Sequence, residues 1–242
     1  MVSNIKCSPQ GNLIASCSKD RTIRLWDSET GTCLRILSGH GETISSVALP
    51  SQGNQICSGS YDNTVRLWNV TTGTCQHVLT GHASWVRSVA FSPQGDQVAS
   101  ASWDHDSVRF WNVWTGEQCG SLVSDTIGII GVVYSPDGNL IATRCIYGSV
   151  KLWNVGTKAC TKTLVGHGSR VQDVVFSPRG DHLASASNDC TVRLWSVQEG
   201  DCRWILIGHV HAVLSVCYSY KGDLLASASS DRTVRLWDVA SG

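Results

Sequence analysis

Thr64-Val65-Arg66-Leu67-Trp68-Asn69 and Thr233-Val234-Arg235-Leu236-Trp237-Asp238 are nearly the same phrase at two places in one chain. Further copies centre on Trp26, Trp111, Trp153 and Trp195, so successive tryptophans lie 42, 43, 42, 42 and 42 residues apart. Such a period marks a repeat architecture, in which each unit buries an apolar face against its neighbour. About 17 residues before each phrase comes a turn such as Phe91-Ser92-Pro93-Gln94-Gly95-Asp96. All five prolines (Pro9, Pro50, Pro93, Pro136, Pro178) fall in or beside this turn, and Tyr220 takes the place in the sixth copy.

The unit reads as strands. Val86-Arg87-Ser88-Val89-Ala90-Phe91 alternates with period two, as a half-buried strand does. After the Pro/Gly turn come Gln97-Val98-Ala99-Ser100, then Val108-Arg109-Phe110-Trp111, then Gln118-Cys119-Gly120-Ser121-Leu122. Four short antiparallel strands per period match one propeller blade. No segment carries helical periodicity, which excludes an α-solenoid.

Two signatures recur at fixed offsets. Gly39-His40, Gly81-His82, Gly166-His167 and Gly208-His209 supply the first. Trp26-Asp27 and Trp237-Asp238 keep the second in full, with Asn or Ser after Trp68, Trp111, Trp153 and Trp195. On these motifs the chain resembles the WD-repeat β-propeller family over essentially its whole length. The style of repeat is similar to the arrays of large fungal and bacterial signalling NTPases. The resemblance implies an all-β, six-bladed propeller spanning 1–242, with repeats near 1–40, 41–82, 83–125, 126–167, 168–209 and 210–242. The first copy starts on an inner strand at Val2, and the last stops after the third strand at Trp237. The expectation is a segment of a longer array, its last blade lacking an outer strand.

Composition narrows the function. Lys plus Arg and Asp plus Glu are both 19, so the basic excess of a phosphate-neutralising nucleic-acid binder is absent. The longest nearly uncharged apolar stretch, Ile127 to Tyr134, falls far short of the roughly 20 residues of a bilayer span. The start, Met1-Val2-Ser3-Asn4-Ile5-Lys6, shows no signal peptide. Eleven cysteines include no Cys-x-x-Cys and no Cys/His cluster at zinc spacing. They read as free thiols packed as small hydrophobes, which points to a reducing, cytoplasmic setting with no metal and no cofactor.

Ser, His and Asp recur together in a way that imitates catalysis. His40, Ser58 and Asp62 share their spacing with His82, Ser100 and Asp104, with His167, Ser185 and Asp189, and with His209, Ser227 and Asp231. A hydrolase needs one activated serine, whereas four copies argue for structure. In the family resembled, these residues and the following Trp68, Trp111, Trp195 and Trp237 form a hydrogen-bonded relay within each blade. A buried carboxylate and an indole N–H both need partners, and a relay supplies them. The fourth copy has Asp125 for His and Tyr147 for Asp, keeping Thr143 and Trp153; the first keeps Ser16, Asp20 and Trp26. No catalytic residue is assigned, and an enzyme is not expected.

Positions that diverge between copies locate candidate binding residues. Tyr61, Trp85, Arg87, Trp103 and Ile146 fall on loops and strand ends of the second to fourth copies. Trp, Tyr and Arg are enriched at binding hot spots. The reading is a non-catalytic scaffold or sensor that docks a protein or peptide, with a glycan-binding propeller as the alternative. Trp114 and Trp204 are expected to pack between blades. The edge strand 233–237 is expected to self-associate or to be covered by ring closure.

Overall fold

The computed structural model describes residues 1–51, 54–104, 108–123 and 128–242. Among these the chain is all-β, with no helix, and its strands form six antiparallel sheets in a six-blade WD-repeat β-propeller fold. Blade 1 comprises Val2–Cys7, Leu13–Ser18, Thr22–Asp27 and Cys33–Ser38, and blade 2 Ile44–Ala48, Gln55–Ser60, Val65–Asn69 and Cys75–Leu79. Blade 3 holds Val86–Phe91, Gln97–Ser102, Val108–Asn112 and Gln118–Leu122; blade 4 holds Ile129–Tyr134, Leu140–Cys145, Val150–Asn154 and Cys160–Leu164. Blade 5 holds Val171–Phe176, His182–Ser187, Thr191–Ser196 and Cys202–Ile207. Blade 6 has three strands, Val213–Tyr218, Leu224–Ser229 and Val234–Asp238. Strands within each sheet follow chain order, from inner to outer. Two compact units make up the chain, Met1–Val132 and Val133–Gly242.

The turn between the first two strands is built by its residue types. Pro93 fixes φ at the second position, and Gly95 N–H closes the turn on Ser92 C=O at 2.9 Å. Gly95 has φ of 76°, a conformation that favours glycine. Ser92 Oγ then donates to Asp96 Oδ1 at 2.7 Å and accepts the Gln97 N–H at 3.1 Å. Tyr220 serves where the sixth copy lacks proline, with Gly222 N–H on Ser219 C=O at 3.0 Å.

Two irregularities recur and aim side chains. The second strand pairs its inner neighbour with one residue skipped, so that in blade 3 Ala101 faces Ser88 and Ser102 faces Val86. Arg87 is the extra residue of that bulge, and bulges redirect the side chain they carry. A second shift falls at the core tryptophan in each described pairing of third and outer strands.

The core lies between blades. In the first unit, Ile23, Leu25 and Leu37 of blade 1 pack on Ile44, Val47 and Trp68 of blade 2. Val65, Leu67 and Leu79 of blade 2 meet Val86, Val89 and Trp111 of blade 3. The second unit repeats this pattern with Val150, Leu152 and Leu164 on Val171, Val174 and Trp195.

Candidate interaction site

Four blades carry the relay geometry. The indoles of Trp68, Trp111, Trp195 and Trp237 donate to Ser58, Ser100, Ser185 and Ser227, each at 2.8 Å. Each serine lies 2.6–2.8 Å from the Nε2 of His40, His82, His167 or His209. The Nδ1 of each histidine lies 2.7–3.0 Å from Asp62, Asp104, Asp189 or Asp231. Because an ionised carboxylate can only accept, Nδ1–H donates to it, and in a neutral imidazole Nε2 is then left to accept the serine O–H.

The same carboxylates anchor the loops. Their Oδ2 atoms accept the backbone N–H of Gly41, Ala83, Gly168 and Val210 at 2.9–3.2 Å. Burial opposes ionisation of Asp62, but hydrogen bonds from His40 and Thr64 hold it well below the usual carboxylate range. The His167 imidazole is pushed down by burial, against the pull of Asp189. All four serines are buried, and a hydroxyl shut from solvent is poorly placed to attack a substrate.

The incomplete copies keep the uncharged part. Trp26 donates to Ser16 at 2.8 Å, and Trp153 to Thr143 at 2.9 Å. Tyr147 is exposed; Asp125 lies outside the described residues. The tight turn at Gly148 has φ of 85°, and a Cβ there would stand 2.6 Å from the His167 carbonyl oxygen.

Four of the five candidate binding residues converge in the first unit. Tyr61 and Trp85 stack with ring centroids 4.7 Å apart and planes at 15°. The Arg87 guanidinium sits 5.1 Å from the centroid of Tyr61, 5.5 Å from Trp85 and 5.0 Å from Trp103. Its Nη1 donates to the Tyr61 hydroxyl at 3.0 Å. Three rings around one cation form a set of cation–π contacts worth about 0.5–1 kcal/mol each at exposed sites. Trp85 remains 45% exposed and Trp103 41% exposed. The fifth candidate, Ile146, belongs to the second unit, where it is half-buried beside Tyr147.

Outside this cluster, Trp114 corrects the expectation of packing between blades: it is 70% exposed. It sits in the turn after the third strand, where Asn112 Oδ1 accepts its backbone N–H at 2.9 Å and the indole projects away. Trp204, on the outer strand of blade 5, is 42% exposed and lines a cleft of about 660 Å³ with His182, Asp223 and Val239, so it too is only partly covered.

Two features went unread in the sequence. Arg66 and Arg193 stack over Trp68 and Trp195 of their own blades, both at 5.8 Å. Thr64, Thr191 and Thr233 donate hydroxyl and backbone N–H to the relay aspartates at 2.6–3.0 Å. Both signals were present, as the basic residue two before each tryptophan and the threonine two after the aspartate.

All eleven cysteines are free thiols, but only Cys17, Cys57 and Cys145 are buried; Cys7, Cys33, Cys119, Cys160 and Cys217 are exposed, which corrects the expectation that the cysteines pack as small hydrophobes. Among the described residues no His/Cys/Asp/Glu group is arranged to hold a metal ion, and no helix is long and apolar enough to cross a membrane.

Blade topology and repeated relays define a WD-repeat β-propeller. The family model described as "IFT122 first beta-propeller" matches residues 1–203, and that of "WD domain, G-beta repeat" matches residues 200–238. The chain belongs to this WD-repeat β-propeller family. Curated relatives are similar over single repeats. Nuclear distribution protein PAC1 of Fusarium vanettenii is 50% identical over 38 residues, covering 16% of this chain and 8% of the relative. PAC1 of Arthroderma benhamiae is 49% identical over 37 residues, covering 15% and 8%. The F-box/WD repeat-containing protein sel-10 of Caenorhabditis elegans is 45% identical over 38 residues, covering 16% and 6%. The matched segment is thus under a tenth of each relative's length.

Proposed function

We propose that this propeller is a non-catalytic protein-interaction module of the cytoplasm, and that Tyr61, Trp85, Arg87 and Trp103 form its docking platform for a peptide segment. The observation that carries this reading is the pair of exposed indoles packed around one guanidinium. A side chain held in place before binding loses little entropy on contact. Exposed aromatic surface beside arginine is the composition of a binding hot spot. Only one of the guanidinium's donors is committed to Tyr61, which leaves others for a peptide carbonyl or carboxylate. WD-repeat relatives support the general role of a scaffold. The glycan alternative finds no support in the relatives, which are WD-repeat proteins.

The test is selection of peptides from a displayed random library, followed by calorimetric titration of the best binder. Trp85→Ala and Trp103→Ala should each weaken binding about tenfold or more while leaving the melting temperature nearly unchanged. Binding that survives both substitutions would remove the platform from the account.

A further inference from the structure

The side chains of the aromatic platform are rich in hydrogen-bond donors. Arginine and indole carry N–H groups and no acceptor, and a phenol can both donate and accept. The core indoles of all six blades donate to a serine or threonine hydroxyl at 2.8–2.9 Å. The indole N–H groups of Trp85 and Trp103, by contrast, have no acceptor among the described residues. The Tyr61 hydroxyl accepts from Arg87 Nη1 at 3.0 Å, which occupies its oxygen and leaves its O–H to donate. Two indoles, a phenol and a guanidinium together hold uncommitted donors and no matching acceptor.

Charge is a second, separate reason. Among the described residues no carboxylate lies within ion-pair distance of Arg87. Its Nε is buried without an acceptor, and taking a cation out of water without a counter-ion is costly. The rings of Tyr61, Trp85 and Trp103 lie 5.0–5.5 Å from the guanidinium carbon and offset part of that cost. They leave the positive charge itself without a counter-ion.

We propose that the platform takes an acidic peptide and that Arg87 receives the carboxylate of an internal Asp or Glu side chain; this rests on the docking reading above and names its ligand. The buried Nε closes the side edge of the guanidinium, so the carboxylate meets Nη1 and Nη2 end-on. One of its oxygens also takes the Tyr61 O–H, whose oxygen stands 3.0 Å from Nη1. The exposed parts of Trp85 and Trp103, 45% and 41%, carry the apolar neighbours of the acid. A carboxylate fits better than a phosphate, because one arginine balances one negative charge, whereas phosphate recognition uses clusters of arginines.

The experiment runs parallel selections from one displayed random peptide library, against the wild type and against Arg87→Met. Wild-type binders should carry Asp or Glu at one fixed internal position, and Arg87→Met binders should not. The best wild-type peptide is then titrated by calorimetry beside two derivatives, one with the amide (Asn or Gln) and one with phosphoserine in place of the acid. The amide form should bind the wild type about tenfold more weakly, as loss of a charge-assisted pair implies, and Arg87→Met should bind both forms alike. Tyr61→Phe, which keeps the stacked ring, should weaken the acidic form alone. Near-ultraviolet circular dichroism checks folding, and Arg87→Gln replaces a methionine variant that fails. Binding that depends on Trp85 and Trp103 but shows no acid preference, or keeps it in Arg87→Met, overturns the proposal and leaves the docking platform standing. A phosphoserine form that binds the wild type more tightly than the acidic form overturns it in favour of phosphate. Binding untouched by Trp85→Ala and Trp103→Ala removes the platform, and this proposal with it.

Discussion

Ser185→Ala tests whether the relays hold blades together. In blade 5 the hydroxyl accepts the Trp195 indole N–H and donates to His167 Nε2, both at 2.8 Å, and it is fully buried. Removing it strands one donor and one acceptor at a site closed to water. Each unsatisfied buried group costs about 1–3 kcal/mol, so with partial relaxation the expected loss is about 2–4 kcal/mol. Ser16→Ala is the internal control. In blade 1 the indole contact at 2.8 Å is part-buried and no described histidine meets the serine, so one half-solvated group is stranded and the loss should be about 0.5–1.5 kcal/mol. Urea unfolding followed by tryptophan fluorescence gives both values. Hydrogen exchange of blade 5 amides serves if unfolding proceeds blade by blade, as repeat arrays can. Adding His167→Ala to Ser185→Ala should cost less than the sum of the single losses, because both break the same contact. A Ser185→Ala variant within about 0.5 kcal/mol of wild type, or no worse than Ser16→Ala, would refute the reasoning.

Acid should destabilise the fold. Burial opposes the ionisation of Asp62 and Asp189, yet hydrogen bonds (from His40 and Thr64, and from Thr191 and His167) hold both carboxyls low, while burial pushes the His167 imidazole down. In all three cases the unfolded chain takes up protons first, so the urea midpoint should fall as pH drops below about 6.5 and again below about 4; a midpoint that rises toward pH 4 would contradict this. Gly148→Ala meets both a φ of 85° and a carbonyl oxygen 2.6 Å from the new Cβ, so a loss of about 2–4 kcal/mol is expected in the same unfolding assay. A thiol reagent should count all eleven cysteines after denaturation without reductant. In the native chain Cys17 should react slowly, because burial raises its pKa to about 12 and the thiolate is the reactive form.

Much of the fold was legible because a repeat states its constraints several times over. The 42-residue spacing of the tryptophans, the Pro/Gly turn and period-two alternation each reappear as the same strand or turn in successive blades. The relay spacings were legible for the same reason. The docking platform was harder to read, because it depends on where a unique side chain points. Tyr61, Trp85, Arg87 and Trp103 could be singled out as departures from the repeat, but the cation at their centre depends on the bulge at Arg87. Trp114 departs from the repeat just as clearly, yet its turn sends it into solvent without neighbours of the same kind.

Docking of a ligand on the aromatic platform around Arg87 can be read from fluorine NMR of the chain labelled with 5-fluorotryptophan. Ten tryptophans give ten assignable resonances, and replacing each indole in turn with phenylalanine assigns them. Titration with the selected peptide should shift Trp85 and Trp103, leaving the buried Trp68, Trp111, Trp153 and Trp195 and the solitary Trp114 in place. Saturable shifts at Trp114 or Trp204, with Trp85 and Trp103 unmoved, would contradict it.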